Sequence, residues 1–499
     1  MRHVIFALVL LSSIDPLLAA DQPQWGQFHT RNMVSDEKNL PVQFDPTTGV
    51  NLKWKAKLGS ESHATAVIAD GKVFIGTNNE ERRDPRHDGD RSVLYCFNEK
   101  DGSFLWQLVE PKITNSIFWD WPKAGICSPP TVEGDRAYLL SNRGEVTCLN
   151  VNGMANENKG PYTNEAIHCV PAGSPAIAPG KADADILWLF NVIKECGVRQ
   201  HDQAYASILI DGPFLYLNTC NGVDDTHKKI EAPNAPSLIV LDKTTGRLLA
   251  QDDEHIGPRI FHCTWAPPTL GPVDGKPRIF FAGGDGIIYG FEPLKTAPPT
   301  GEVAKLKKVW QFDCDPTGPK TNVHQFNSNR KISPSNVKST PVFNQGRLYV
   351  TVGGDLWWGK NESWLQCIDV KGEGDVTSSA LLWKTPLGQH CICTPAVYNG
   401  LVFVADCSRK IYCIDASNGK ICWTHEGKGD FWGSTLVADG HVFVGSRRGD
   451  FWVFEASREK KLLANVDFGL PISATPVAAN GVLYVSTMEW LYAFGLNSK

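Results

Sequence analysis

Short runs of alternating apolar and polar residues, broken by turn residues, recur along most of this chain. From Cys393 to Trp423 four such runs are separated by Asn399-Gly400, Ser408-Arg409-Lys410 and Asn418-Gly419. Period-two alternation places apolar side chains on one face of a strand, and Gly and Asn at the breaks suit tight turns. The stretch therefore predicts four antiparallel strands, the content of one propeller blade. Its first half recurs from Ala64, Ser128, Ala206, Ala266, Ser339, Gly433 and Ala474, which makes eight copies. The closing strand ends in tryptophan at Trp54, Trp106, Trp188, Trp310, Trp383 and Trp423; the blades closing at Ala250 and near Leu463 lack it.

The two ends of the repeat array complement each other. The eighth copy finishes without a closing strand, and the first is preceded by an orphan one from Asn51. Pairing them would seal a ring and leave no open strand edge. A solenoid would instead carry unequal caps. The expected fold is all-β: an eight-bladed β-propeller of four-stranded antiparallel blades, closed by an N-terminal strand in the last blade. The expected organisation is a signal peptide at 1–20, an N-terminal extension at 21–49 and the propeller at 50–499, with a Pro/Gly-rich insertion at 153–184. Further loops at 79–92, 221–236 and 313–338 lie on the faces of the ring, where function concentrates.

Composition narrows the class. Net charge is −5 with 42% hydrophobic residues, so a soluble core is affordable and no basic stripe points to nucleic acid. No later segment has the ~18 apolar residues of a membrane helix. Arg2 and His3, an apolar run from Val4 to Leu11, Pro16 and Ala19-Ala20 read as an export leader. No cysteine adjoins that junction, so no lipid anchor is expected, and the location is periplasmic or extracellular. Of fourteen cysteines, Cys96, Cys148, Cys367 and Cys413 share one repeat position and read as small buried filler. Cys413 and Cys422 flank a turn and are placed to face each other across a hairpin.

The phrase LYxxDxxTGxxxW stands, in variants, at Leu94–Trp106, Ile411–Trp423 and Leu238–Ala250. It resembles the pyrroloquinoline-quinone (PQQ) repeat over roughly residues 50–495. The resemblance implies the propeller fold and leaves two functions open. One group of relatives, the quinoprotein alcohol dehydrogenases, holds PQQ and calcium. The other, represented by the propeller lipoprotein of outer-membrane assembly, recognises protein partners. The dehydrogenases carry two adjacent cysteines beside the quinone, whereas this chain offers only Cys391-Ile392-Cys393. Asn221 is the one weak match to a calcium ligand, and Asn221-Gly222 is equally an ordinary turn. The expectation is thus an exported, non-catalytic binding or scaffold protein for a protein partner or small ligand, with no confident metal or catalytic residue. The alternative is a PQQ- and calcium-dependent dehydrogenase with a divergent site.

Connections entering the innermost strand of each blade converge on one mouth of the channel. Their equivalent positions hold Ser60, Ala124, His262, Asn336, His390, Asp430 and Pro471, with His201 near the third. Trp119, Trp121, Trp265 and Trp432 lie in the same loops. His262, His390, Asp430, Asn336, Trp265 and Trp432 are the expected ligand-binding candidates, since flat apolar walls with a few polar groups make a ligand pocket. The same residues would serve equally as filler between blades. Trp357 and Trp358, in a loop of the fifth blade, are expected partner anchors.

Overall fold

A computed structural model describes residues 20–113, 116–158 and 160–496. The expected leader falls on residues 1–19, outside the described residues, apart from Ala20. Eight sheets form a ring. Each opens on an inner strand: Val67–Ala69, Thr131–Glu133, Leu209–Asp211, Thr269–Val273, Val342–Asn344, Ala396–Tyr398, Leu436–Ala438 and Val477–Ala479. The ring closes as the repeat requires. Leu52–Lys57 pairs antiparallel with Trp490–Phe494, with Trp54 opposite Ala493. Trp54 and Ala56 are buried while Lys53 and Lys55 are exposed, the alternation of a half-buried outer strand.

Three sheets exceed the expected four strands. Ala304–Lys305 runs parallel beside Leu248–Gln251 on the outer edge of the third blade, and Gly374–Asp375 does the same beside Lys308–Asp313 on the fourth. Val34–Ser35 lies parallel to the inner strand of the seventh. Each covers an edge whose backbone groups would otherwise need water.

The repeat motif is a docking device between blades. Trp54, Trp106, Trp188, Trp383 and Trp423 each donate their indole N–H to a carbonyl of the following blade, at Glu99, Val151, Lys243, Ala416 and Ser457. The motif glycine faces that tryptophan. Gly246 has φ +73°, and a Cβ there would sit 2.4 Å from Trp188. Gly246→Ala combines left-handed strain with a collision against a half-rigid indole. It is expected to destabilise the protein by about 1–3 kcal/mol, seen as a lower urea midpoint at unchanged slope.

A second device lies on the inner strands. The Thr340, Thr394, Ser434 and Thr475 backbone N–H groups donate to the hydroxyls of Thr394, Ser434, Thr475 and Thr65 in turn, at 3.0, 2.8, 3.0 and 3.2 Å. This girdle ties blades five to eight to blade one.

The segment expected as a separate extension threads the channel. It circles from Ala20 at the eighth blade past Gln22 and Pro23 on blades one and two. His29 then meets Ile210 and Leu270, Thr30 meets Phe343, Asn32 meets Val397 and Met33 meets Val437. Glu37 closes the circle, accepting from Ala20 N at 2.7 Å and Gly481 N at 2.6 Å. Arg31 sits fully buried inside this loop. Its guanidinium donates to the carbonyls of Trp25, Ser207 and Pro268 and to Ser207 Oγ, at 3.0–3.2 Å. Burial pulls its pKa down to about 9, so it is still charged at neutral pH.

All fourteen cysteines are free thiols. Cys413 and Cys422 are therefore not bridged, although their thiols lie close enough to interact. Cys413 pairs across the ladder with Trp423, and Cys422 falls in a bulge between register pairs. Cys96, Cys148, Cys367 and Cys413 are all buried. No helix of the described residues is long and apolar enough to cross a membrane.

Candidate functional site

Above the N-terminal plug the channel opens into a cavity of about 120 Å³. Its floor includes Trp25, which donates to Thr475 Oγ1 and packs edge-on against Tyr205. Its walls take one residue from every blade: His63, Cys127, Tyr205, Trp265, Lys338, Ile392, Trp432 and Ser473. All eight stand two residues before the girdle position of their blade, so the propeller's rotation converts one repeat position into a ring of side chains. Trp121, Asp202 and Gln203 complete the wall. Aromatic contacts run around the mouth, from Trp121 through His63 to Trp432 and Trp357.

Behind the wall lies a buried charge cluster. Asp355, fully buried, accepts from Lys338 Nζ at 2.8 Å and His262 Nδ1 at 2.9 Å through Oδ2, and from Asn336 Nδ2 at 3.3 Å. Its Oδ1 accepts the backbone N–H groups of Trp357 and Trp358 at 2.9 and 3.0 Å. Burial opposes this charge, but His262 and Lys338 hold the carboxyl well below the usual range. His262 also lies 3.1 Å from Asp202 through Nε2. Burial works against its protonation, yet Asp355 and Asp202 on its two sides raise its pKa well above the ordinary value. Lys338 lies over the rings of Trp265 and Trp357, 4.6 and 4.8 Å from their centroids, a partly desolvated cation–π arrangement.

The sequence-derived candidates divide among three places. Trp265 and Trp432 line the cavity. His262, Asn336 and His390 lie behind it; His390 Nδ1 meets Gly354 O at 2.7 Å, and burial lowers its pKa to about 4. Asp430 stands half-buried, accepting the Trp432 indole N–H at 2.7 Å. Trp357 and Trp358, expected to project toward a partner, turn inward. Trp357 packs on His262 and Trp432, and Trp358 lies 4.3 Å from His227. Asn221 is spent on its own loop, accepting from Arg199 N and donating to Ala232 O. Its amide thus ties this loop to the connection into the third blade instead of facing an open site.

Sequence reasoning missed Lys338, Asp355, Asp202 and the plug. Lys338 had a signal: counting back two residues from each hydroxyl or proline of the girdle finds it with the other seven. Asp355 had none, because its side-chain partners come from two other loops distant in sequence.

Comparison with known proteins supports the architecture. The family model described as outer membrane protein assembly factor BamB matches residues 28–164 and 307–462, more than half of the chain. No curated protein matches in sequence. Among solved structures, the quinohemoprotein alcohol dehydrogenase from Comamonas testosteroni has a TM-score of 0.59 at 13% identity, covering 96% of this chain and 81% of its own. BamB from Moraxella catarrhalis gives 0.52 at 10%, covering 89% and 97%. The computationally designed Ika8 protein gives 0.51 at 10%, covering 89% and 99%. At such identities the likeness is one of fold.

Proposed function

Because the chain belongs to the quinone-repeat propeller family of the outer membrane protein assembly factor BamB, we propose that it is a non-catalytic binding protein whose axial pocket receives one flat, uncharged ring, from a small ligand or from the tip of a partner. We further propose that residues 1–20 are an export leader and that the described ring acts outside the cytoplasm.

The observation that carries this reading is the pocket itself: one side chain from each of eight blades, four of them aromatic, with Trp121 beside them and Trp25 closing it below. Its volume is near that of the ~150 Å³ apolar cavity that holds a benzene ring. It is well below the ~300–1,000 Å³ of pockets for larger ligands. The charges in and behind the wall are matched, Lys338 and His262 to Asp355 and Asp202, so the pocket presents aromatic faces and hydroxyls more than net charge. Ser434, Ser473, Thr475 and Gln203 supply the few polar contacts that would orient a ring.

The residues present do not fit the quinone and calcium of the dehydrogenase relatives. Asn221 is committed elsewhere, and Asp355 already accepts from Lys338 and His262. Calcium wants six to eight oxygen ligands, and the cavity is small for a fused tricyclic system.

Titration of tryptophan fluorescence with phenol is expected to saturate, and Trp265→Ala to weaken that binding about tenfold, the loss of one aromatic contact of ~1.5 kcal/mol. Parallel incubation with PQQ and calcium is expected to give no dye-linked alcohol oxidation. Oxidation at a steady rate would replace the binding reading with the dehydrogenase one.

A further inference from the structure

Three histidines from separate stretches meet beside the pocket wall. His201 lies in the connection into the third blade, His227 in the loop 221–236 and His262 in the connection into the fourth. One ring nitrogen of each falls within a common sphere, all within 4.8 Å of one another. All three are buried. We propose that His201, His227 and His262, with Asp202 beside two of them, form a site for a divalent transition-metal ion, with Zn²⁺ the best match.

The geometry suits that ion. Bonds of ~2.0–2.1 Å in a tetrahedral array put donor atoms about 3.3 Å apart. His201 Nε2 and His227 Nε2 are 3.0 Å apart. His262 Nε2 lies 3.1 Å from Asp202 Oδ2, and His201 Nε2 lies 3.5 Å from Asp202 Oδ1. Ring centroids stand 4.6, 4.9 and 5.3 Å apart. Despite its short ion-pair contact with Asp202, buried His262 Nε2 makes no aligned hydrogen bond. Donors arranged about a shared centre make such off-axis contacts.

The surroundings also match a metal site. His262 Nδ1 meets Asp355 Oδ2 at 2.9 Å, the carboxylate–histidine arrangement that turns the opposite nitrogen toward a metal and raises its basicity. Phe118 stacks on His201 and meets His227 edge-on, and Trp358 covers His227, so the site is shielded from water. Imidazole nitrogens with one carboxylate favour zinc and its neighbours over calcium or magnesium. Asp202 offsets part of the ion's charge, and Asp355 stays shared between Lys338 and His262 Nδ1. On binding, the proton on His262 Nε2 leaves to solvent and its lone pair takes the metal. Three imidazoles, with Asp202 drawn onto the ion as the fourth donor, would close the site, the pattern of a structural ion. It would pin three loops together and hold Asp202 in the pocket wall, whatever the pocket receives.

The test uses full-length protein freed of metal with a chelator. Calorimetric titration with ZnCl₂ is expected to give one ion per chain with proton release, and CoCl₂ is expected to give the intense visible bands of a tetrahedral Co²⁺ centre. His227→Gln and His201→Gln are each expected to weaken zinc binding about 100-fold or more, with circular dichroism checking the fold. His168→Gln alters a separate buried group, Glu110–Glu145–His168, and is expected to leave binding unchanged. Failure of the wild type to bind zinc stoichiometrically, octahedral cobalt spectra, or loss in His168→Gln with retention in His227→Gln would each overturn the assignment. Phenol titration of the metal-free protein remains an independent readout of the pocket.

Discussion

Asp355→Ala is expected to lower the free energy of unfolding by about 3–5 kcal/mol, the largest effect of any single change in the axial region. The carboxylate is the common acceptor of Lys338, His262, Asn336 and two backbone amides, and nothing near it is solvent-exposed enough to take over. Without it, two cationic side chains remain buried 2.9 Å apart. The cost comes from those stranded charges, not from losing an attractive pair, since a buried pair replaced whole is often neutral. The double variant Asp355→Ala with Lys338→Met should therefore recover part of the loss, with a coupling above about 1 kcal/mol. Urea unfolding measures both. The released amides of Trp357 and Trp358 should also free that loop, so phenol binding should weaken alongside stability. A single-variant cost below about 1 kcal/mol would mean that water already reaches the cluster.

Arg31→Ala is expected to cost at least about 3 kcal/mol and to loosen the segment 20–44 selectively. Two effects oppose each other. A guanidinium buried with no carboxylate is expensive, as its depressed pKa records, and removing it ends that penalty. Yet it serves four acceptors, three of them backbone carbonyls on the plug and on blades three and four. Each carbonyl left dry and unpartnered costs roughly 1–3 kcal/mol, and the sum exceeds the relief. Blades five to one are tied by the hydroxyl girdle, whereas the fourth blade has Pro267 at the girdle position. Arg31 spans that gap. Arg31→Lys should not restore stability, because a single ammonium cannot reach Ser207 and Pro268 together in the planar fork geometry. Hydrogen exchange should show faster opening at Val132, Leu270 and Phe343, whose amides bond to the plug, and near-normal protection on the outer strands. Uniform loss across the ring would show that the plug is part of the global folding unit instead of a local one.

Both effects concern residues whose importance was hidden in the linear chain. The ring itself was not hidden. Period-two alternation, turn residues at regular intervals and complementary ends fix eight blades and their closure at Trp54, because all blades but the eighth draw their four core strands from one stretch of chain and the eighth lacks only the strand that the N-terminal side supplies. The repeat motif even encodes its own purpose locally: Asp242 turns the chain by accepting from Thr244 and Thr245, and Gly246 clears room for the preceding blade's tryptophan. Of the six pocket candidates, two line the cavity. Trp265 and Trp432 stand on a repeat position, and any such position becomes a circle once the ring forms. His262, Asn336 and His390 were placed in the right loops but one layer too deep to face the cavity.

The sequence by itself determined the strand pattern, the number of blades and how the circle is sealed, since these follow from side-chain periodicity and nearest-neighbour packing. Only the tertiary structure decided that the N-terminal segment fills the channel, that Asp355 gathers Lys338 and His262, and that three histidines face one point. Those contacts join loops far apart in sequence and depend on where the ring's curvature carries them, a quantity that no local pattern of residues contains.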